Sequence, residues 1–539
     1  MTTGQTFVNG RIFTGRGEQD FASAFRIADG RFTWVGDSAD VAEGGATDLG
    51  GRTVLPGFID IHTHPTYVAR TVDAVPCTMP LVNDIPGMIA ALRRHPRFGE
   101  GEEAWIEGWG YDESKLAEHR TPTAADLDMV STTQPVYVMR SDCHSGVCNT
   151  RALEIAGITR DTPDPEGGRF GRLENGEPNG VLLEHAANDV VMRARSSQDY
   201  RARVDAIRRT GAHYDERGIV AITDMMASTQ PFDDLAIYRD AAAQGLGQQV
   251  LLYFVWSELE GKPIPDLTDA QRSGRVRFAG IKLFADGSIS GRTAWVSEPY
   301  ANSGDRGFPT ITEESLRSGY EWARRNMVQV AVHAMGDSAL QLVIDFFADR
   351  EPWMGPDIPS VRLEHATLLT DEQLRQLNEA RMSFGVATQI IFFFAEHESY
   401  AGNLSGDQYR RAYPVRTFYD QIEHLGLSSD APATTWMDPD DVFVSIEAAV
   451  TRRAYNGAEI VPEQAVTVPQ AVLLYTARPA TLGSFDEPVG LIAEGREANF
   501  VVIDRDIFAV DPTLIHETRV VQSWMRGRMV YERNQESVG

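Results

Sequence analysis

The sequence predicts an α/β protein: a (β/α)8 TIM barrel with a long insertion after its first strand, plus a small composite β domain built from both ends of the chain. Three observations predict it. Through the middle of the 539 residues, short β-branched runs alternate with helix-period segments, the pattern of strand–helix units repeated around a parallel sheet. Several of those runs end in His or Asp and one carries a Lys near its end, and a barrel of this kind has its active site at the C-terminal ends of its strands. Alternating apolar and polar positions with Asn-Gly and Asp-Gly punctuation mark the N-terminal end as antiparallel, and similar strands recur near the C-terminus.

In chain order, Thr6–Phe13 turns at Asn9-Gly10 and Ala24–Gly36 turns at Asp29-Gly30, two hairpin signals. Ala498–Asp504 and Arg519–Tyr531 supply the matching strands, so residues 1–54 and 480–539 are expected to pair into one β-sandwich domain flanking a barrel over 55–479. The first barrel strand is read in Val54–His64, where Pro56-Gly57 forces a turn and an apolar run ends in His62-Thr63-His64. Residues i and i+2 of a strand share a face, so the two imidazoles converge, and neutral imidazole is a metal ligand. The plainer reading is a surface strand with two solvated histidines.

The stretch from about 70 to 210 is too long for one strand–helix unit and reads as an insertion able to shape or cover a pocket. Within it Arg120–Asp128 marks a helix start and 161–180 is rich in turns. The remaining strands are Ile219–Asp224, Val250–Trp256, Phe278–Phe284, Gln329–His333, Val361–His365, Arg381–Val386 and Leu425–Asp430, which with the first make eight.

Lys282 lies in Phe278–Phe284, while His333, His365 and Asp430 close the strands that carry them. Ala331 and His333 share one face; Gly426, Ser428 and Asp430 share another, whose small residues leave room beside the carboxylate. Each residue alone has an ordinary explanation: a buried His bonded to backbone, an ion-paired Lys, an Asp capping the next helix. Four His, one Lys and one Asp together at strand ends argue instead for one metal site.

Fifty Lys and Arg against 77 Asp and Glu give a formal charge of -27, which opposes binding to nucleic acid or an anionic membrane. The first residues have neither a basic leader nor an apolar segment of signal length, and no apolar run is long enough to span a bilayer, so a cytoplasmic protein is expected. Cys77, Cys143 and Cys148 lack Cys-x-x-Cys spacing and are expected to be buried thiols. A homodimer is the default assembly.

The chain resembles the metal-dependent amidohydrolase superfamily and, within it, amidohydrolase family 3, the group of N-substituted formamide deformylase-like enzymes. The stretches that carry the resemblance are Leu55–His64, Gly280–Ser288, His333–Asp337, Arg362–Ala366 and Ser429–Pro432, with further similarity over Asp142–Leu153 and Gly490–Phe500. Asn499 departs from the Asp usual in the family, at a position within the small β domain.

The resemblance implies that His62 and His64 hold one divalent ion with Asp430, and that His333 and His365 hold a second. Lys282 would bridge the two as a carbamate formed with CO2, because an ammonium has no lone pair to donate. Left unmodified, it implies one ion on His62, His64, Asp430 and one of His333 or His365. Zinc suits these donors best, with manganese, iron and cobalt as alternatives. The implied reaction is hydrolysis of a linear C–N amide bond, an N-substituted formamide or N-acyl amide, by a metal-activated water whose proton passes through Asp430 to the leaving nitrogen. His144 is a further oxyanion or substrate contact on the Asp142–Ser145 stretch, weighed against a purely structural histidine.

Trp256, Trp295, Tyr300 and the run Gln389–Phe394 suggest a small, partly apolar substrate, although such a run is also ordinary core. Two rival readings are a cyclic-amide hydrolase or aminoheterocycle deaminase, and an inactive barrel kept as a binding protein. Lys282 weighs against a deaminase, since the deaminases of this superfamily resemble one-metal sites without a bridging lysine. Dead relatives lose metal ligands, and here all six are present.

Overall fold

Eight parallel strands form one sheet in chain order: β1 Phe58–Thr63, β2 Ile219–Ala227, β3 Gln249–Val255, β4 Val276–Phe284, β5 Gln329–Ala334, β6 Val361–His365, β7 Phe384–Thr388 and β8 Leu425–Leu427. Each is paired in parallel with the next, β1 with β2 through β7 with β8. The ring closes where β8 returns to β1: the Ser429 amide and hydroxyl donate to the Asp60 carboxylate at 3.1 and 2.5 Å. The computed structural model describes residues 4–41, 45–141, 143, 145–165, 168–195 and 199–534.

β1, β3, β6 and β8 are buried at every position and the other four at nearly all, as a parallel sheet covered on both faces requires. Side chains of different strands meet inside the ring, with Ile59, Ile61, Ala221 and Ala387 against Leu482 and Val489, and Met225, Leu251, Tyr253, Ala279 and Ala331 against Phe485. Residues 482–489 thus fill one end of the barrel. On the outside, helix Glu313–Asn326 starts at Thr312, whose hydroxyl caps the Ser315 amide, and buries Leu316, Gly319, Trp322 and Ala323. A methyl group on Gly319 would lie 3.1 Å from Ile281 and 3.4 Å from Leu283. Ile281 and Leu283 therefore face this helix, and Lys282 between them faces inward.

The chain divides into two compact units, Met1–Thr66 with Ile207–Ser429 and Asp440–Gly539, and Tyr67–Ala206 with Asp430–Pro439. The first holds the barrel and two terminal sheets. Thr53–Pro56 pairs antiparallel with Phe500–Ile503, joining the two ends of the chain in a six-stranded sheet. Beside it lies a four-stranded sheet, and Phe7, Phe25, Phe32, Phe500 and Trp524 pack together as a shared core. Asn499 donates to Glu497 and accepts from the Arg526 amide within this β region.

Several expected boundaries move. Val54–Pro56 belongs to the terminal sheet rather than to β1; Gly57 separates them, and a Cβ there would come within 2.5 Å of Val220. Asp29-Gly30 does form a hairpin, with φ of 50° and 79° at its two central residues, matching the twist of the flanking strands. Asn9-Gly10 does not. Gln5–Val8 and Arg11–Phe13 go to different sheets, because Phe7 pairs with Phe25 while Ile12 pairs with Val54 and Ala22. The seventh strand starts at Phe384 rather than Arg381, and the eighth ends at Leu427, short of Asp430.

The second unit has its own six-stranded sheet, ordered 169–172, 178–183, 146–148, 136–140, 106–111 and 75–76. Helix Ala124–Asp128 begins as expected, with Thr123 and Asp126 bonded to each other through amide, hydroxyl and carboxylate. Cys77 and Cys148 are buried and Cys143 half-buried, and none forms a disulfide. Among the described residues no helix is long and apolar enough to cross a membrane.

Candidate metal centre

The ends of β1, β5, β6 and β8 bring the predicted side chains together. His62, on β1, and His365, at the end of β6, are buried, and their ring centres lie 5.0 Å apart. His64 sits 5.5 Å beyond His62, and His333 4.4 Å beyond His365, so the four imidazoles form a continuous row. His62, His365 and Asp430 each offer a ligand atom, and the three atoms lie within 4.8 Å of one another. Lys282 is 1 % exposed, with its amine 5.2 Å from the centre of the Phe284 ring. His144 lies outside the described residues.

Strand parity does not by itself put these side chains in place. Arg362 and Glu364 share the inner face of β6, so an unbroken strand would turn His365 outward with Leu363. Left-handed backbone at His365 and Ala366, φ 72° and 47°, breaks the alternation and brings the ring to the mouth. Asp430 is likewise left-handed, φ 55°, three residues after β8 has ended. The shared face expected for Gly426, Ser428 and Asp430 therefore does not hold. Asp430 is placed instead by the bonds from its neighbour Ser429 to Asp60. Non-glycine residues in this region are strained, and such strain collects at functional sites.

Each histidine of the close triad has an oriented partner. The Nδ1 of His62 lies 2.6 Å from Glu364, and the Nδ1 of His365 lies 2.7 Å from the Gln389 carbonyl oxygen. The Gln389 amide nitrogen donates to the Ser428 hydroxyl at 2.9 Å, which fixes its oxygen as the acceptor. In both rings Nδ1 is engaged by an outer group, the arrangement by which metal-binding imidazoles are oriented. The Nε2 of His333 instead donates to the Gly287 carbonyl at 3.0 Å, which leaves its Nδ1 with the lone pair.

Carboxylates around the row are sharply differentiated. Burial alone would raise Glu364, but Arg362, His62 and Lys282 outweigh it and hold the group at about 2. Asp224, in the C-terminal half of β2, is raised by burial despite bonds from the Met226 amide and the Tyr238 hydroxyl and its proximity to His64 and His62. Burial also pushes Asp60 up to about 7 against the two bonds from Ser429. Asp286 rises to about 7 for the same reason, although it accepts the amides of Met335, Gly336 and Trp295 and so ties the loops after β4 and β5 together.

Glu364, Arg362, Gln389, Asp224 and Asp286 were not singled out by the sequence reading. For the first two a signal existed: opposite charges two apart inside an otherwise apolar strand mark an internal ion pair. The expected substrate-lining aromatics divide. Trp256 donates to Ser318 and packs on Trp322, on the helix side of the barrel, and the Tyr300 hydroxyl is spent on the Ala294 carbonyl. Helix Ile390–Ala395 is buried, and Phe393 packs into a tyrosine cluster. Two rings flank the histidines: Phe392, 6.1 Å from His365, and Phe284, 5.6 Å from His333.

A parallel barrel with this donor cluster at its strand ends is the architecture of the metal-dependent hydrolases. The profile described as the amidohydrolase family matches residues 45–531, and the chain belongs to that family. It is 27% identical over 551 residues to the N-substituted formamide deformylase of Arthrobacter pascens, covering 98% of both chains. It is 28% identical over 556 residues to the protein YtcJ of Bacillus subtilis (strain 168), covering 97% of this chain and 99% of that one. Among solved structures, an uncharacterized metal-dependent hydrolase from Pyrococcus horikoshii superposes with a TM-score of 0.73 at 26% identity, over 95% of this chain and 99% of the other.

Proposed function

We propose that the protein is a metal-dependent amidohydrolase that cleaves a linear C–N amide bond, in an N-substituted formamide or N-acyl amide, of a small and partly apolar molecule. The observation that carries the reading is the buried triad of His62, His365 and Asp430, whose ligand atoms lie within 4.8 Å of one another. Two imidazoles and a carboxylate suit zinc, and the outer partners Glu364 and Gln389 hold each ring by Nδ1, so that Nε2 would face the ion. His64 and His333 flank this core as the remaining imidazole ligands. Lys282, enclosed and facing inward, would join them as the carbamate that its neutral amine forms with CO2 on losing a proton.

A divalent ion held here supplies polarisation of the amide carbonyl and acidification of a water. The chain's own part follows from its side chains. The Asp430 carboxylate accepts a proton from the water and delivers it to the nitrogen of the departing amine. Phe284 and Phe392 offer apolar surface beside His333 and His365, which favours an acyl group or N-substituent with apolar character. The relative from Arthrobacter pascens supports a formamide as the amide to try first. His144 is the added oxyanion contact in this proposal.

The test is a hydrolysis screen of the purified protein, supplied with zinc and bicarbonate, against N-substituted formamides, N-acyl amides, cyclic amides and aminoheterocycles. Release of free amine from the first two classes is expected. Ammonia from aminoheterocycles alone, or ring opening of cyclic amides alone, would replace the substrate class. No turnover with any class, together with no bound metal, would make the barrel a binding protein. Unchanged turnover in His144→Asn would remove the role given to that residue.

A further inference from the structure

Below the histidines a chain of buried polar groups runs through the barrel. The Gln329 amide nitrogen donates to the carbonyls of Pro359 and Leu482 at 2.7 and 2.9 Å. That leaves its oxygen to accept from the Tyr253 hydroxyl at 2.6 Å. Having given its proton to Gln329, the Tyr253 oxygen accepts from Arg362 at 3.0 Å. Arg362 donates further to the Ile61 carbonyl at 2.8 Å and to both oxygens of Glu364, at 2.9 and 3.1 Å. Glu364 in turn meets the Nδ1 of His62 at 2.6 Å. All five side chains are at most 1 % exposed.

The direction of every link is determined. A guanidinium has only donors, so Glu364 beside it acts as an acceptor, and the one hydrogen His62 can give it is on Nδ1. Such a relay differs in kind from the backing of His365, where Gln389 is a neutral acceptor. A bidentate Arg–carboxylate pair also fixes geometry in a way that a point charge cannot.

We infer that Arg362 and Glu364 are positioning residues that hold His62 in the Nδ1–H tautomer, with Nε2 turned to the metal, and that they thereby set the protein's metal affinity. This inference rests on the metal-site reading above but concerns residues that touch neither substrate nor ion. Glu364→Gln cannot accept from Arg362 and from His62 at both positions, so one donor faces another and the tautomer loses its preference. Arg362→Lys keeps the charge but loses the fork, and gives a smaller loss of the same kind.

The experiment uses the full chain. Metal-free wild type, Glu364→Gln and Arg362→Lys are labelled with 15N at histidine, and the His62 ring nitrogens are assigned by comparison with His62→Ala. Zinc affinity is then measured by competition with a chelating dye. Wild type is expected to show a protonated Nδ1 and an unprotonated Nε2 at His62. Glu364→Gln is expected to show a mixed or inverted tautomer and zinc affinity lower by about 10- to 100-fold, with the circular dichroism of a folded protein. If Glu364→Gln does not fold, Arg362→Lys decides by the same two readouts. Wild-type affinity to within twofold and an unchanged His62 signature in the folded variants would overturn the inference. Failure of wild type to bind zinc would instead overturn the metal-site reading, and the tautomer spectra of the metal-free protein would still decide the positioning role.

Discussion

Replacing Asp215 with Asn should make the protein more stable at neutral pH. Asp215 lies on helix Tyr200–Arg217, and burial raises its carboxyl from 3.8 to about 6 against one hydrogen bond from Gln248 at 2.8 Å. A raised carboxyl costs the folded state nothing well below pH 4, where both states hold the proton. The cost grows as pH rises through the window from about 4 to 6 and is complete above it. A shift of about 2 units at 1.36 kcal/mol each gives an upper bound of about 3 kcal/mol at pH 8, falling to about a third of that at pH 4.5. Asp215 is not fully enclosed, and an Asn amide needs a partner of its own, so a net gain of about 1–2 kcal/mol is expected at pH 8. Asn keeps an oxygen for Gln248. Midpoints of urea unfolding, followed by tryptophan fluorescence for both proteins at pH 8 and pH 4.5, measure the difference. A variant less stable than wild type at pH 8, or a gain that does not shrink on acidification, would refute the reasoning.

Ser429→Ala removes the hydroxyl that donates to buried Asp60 and should cost about 1–3 kcal/mol, read as a lower thermal midpoint with the secondary structure retained. Asp440 is buried and accepts from His213 at 2.5 Å and Arg217 at 2.8 Å, which hold it well below the usual carboxylate range despite burial. A depressed carboxyl stabilises the fold at every pH above its unfolded value near 4, so Asp440→Asn should be less stable than wild type throughout the neutral range. The gap should narrow only as pH falls below about 4. Phe500 is fully buried and stacks on Trp524 at 5.3 Å, so Phe500→Ala should cost about 3–5 kcal/mol in denaturant unfolding.

The barrel was legible because parallel strands covered on both faces leave continuous apolar runs in the sequence, and because their C-terminal residues carry chemistry. His62, His333 and His365 could be read that way. What the sequence concealed has physical causes. The left-handed turns at His365 and Asp430 break strand parity without a glycine to mark them. Asn9-Gly10 looks like a hairpin turn, but Phe7 and Ile12 find partners in different sheets, a tertiary choice that local propensity does not contain. The sheet within 67–206 was hidden by short strands, one of them only Gly146–Cys148. Gln389 is a neutral amide at the head of an apolar helix, and nothing in its surroundings in sequence distinguishes it from a core residue. Arg362 and Glu364 did leave a trace, two opposite charges on one face of a strand with no water to solvate them.

The central claim is that the strand-end imidazoles and Asp430 bind a divalent metal, and elemental analysis tests it most directly. Wild type and the double variant His62→Ala/His365→Ala would be purified in parallel, incubated with zinc and bicarbonate, freed of loose ions by gel filtration, and compared for metal per chain. At least one tightly held divalent ion is expected in wild type, and its loss in a variant that circular dichroism shows to be folded. Equal metal content in the two proteins, or none in wild type, would contradict the account.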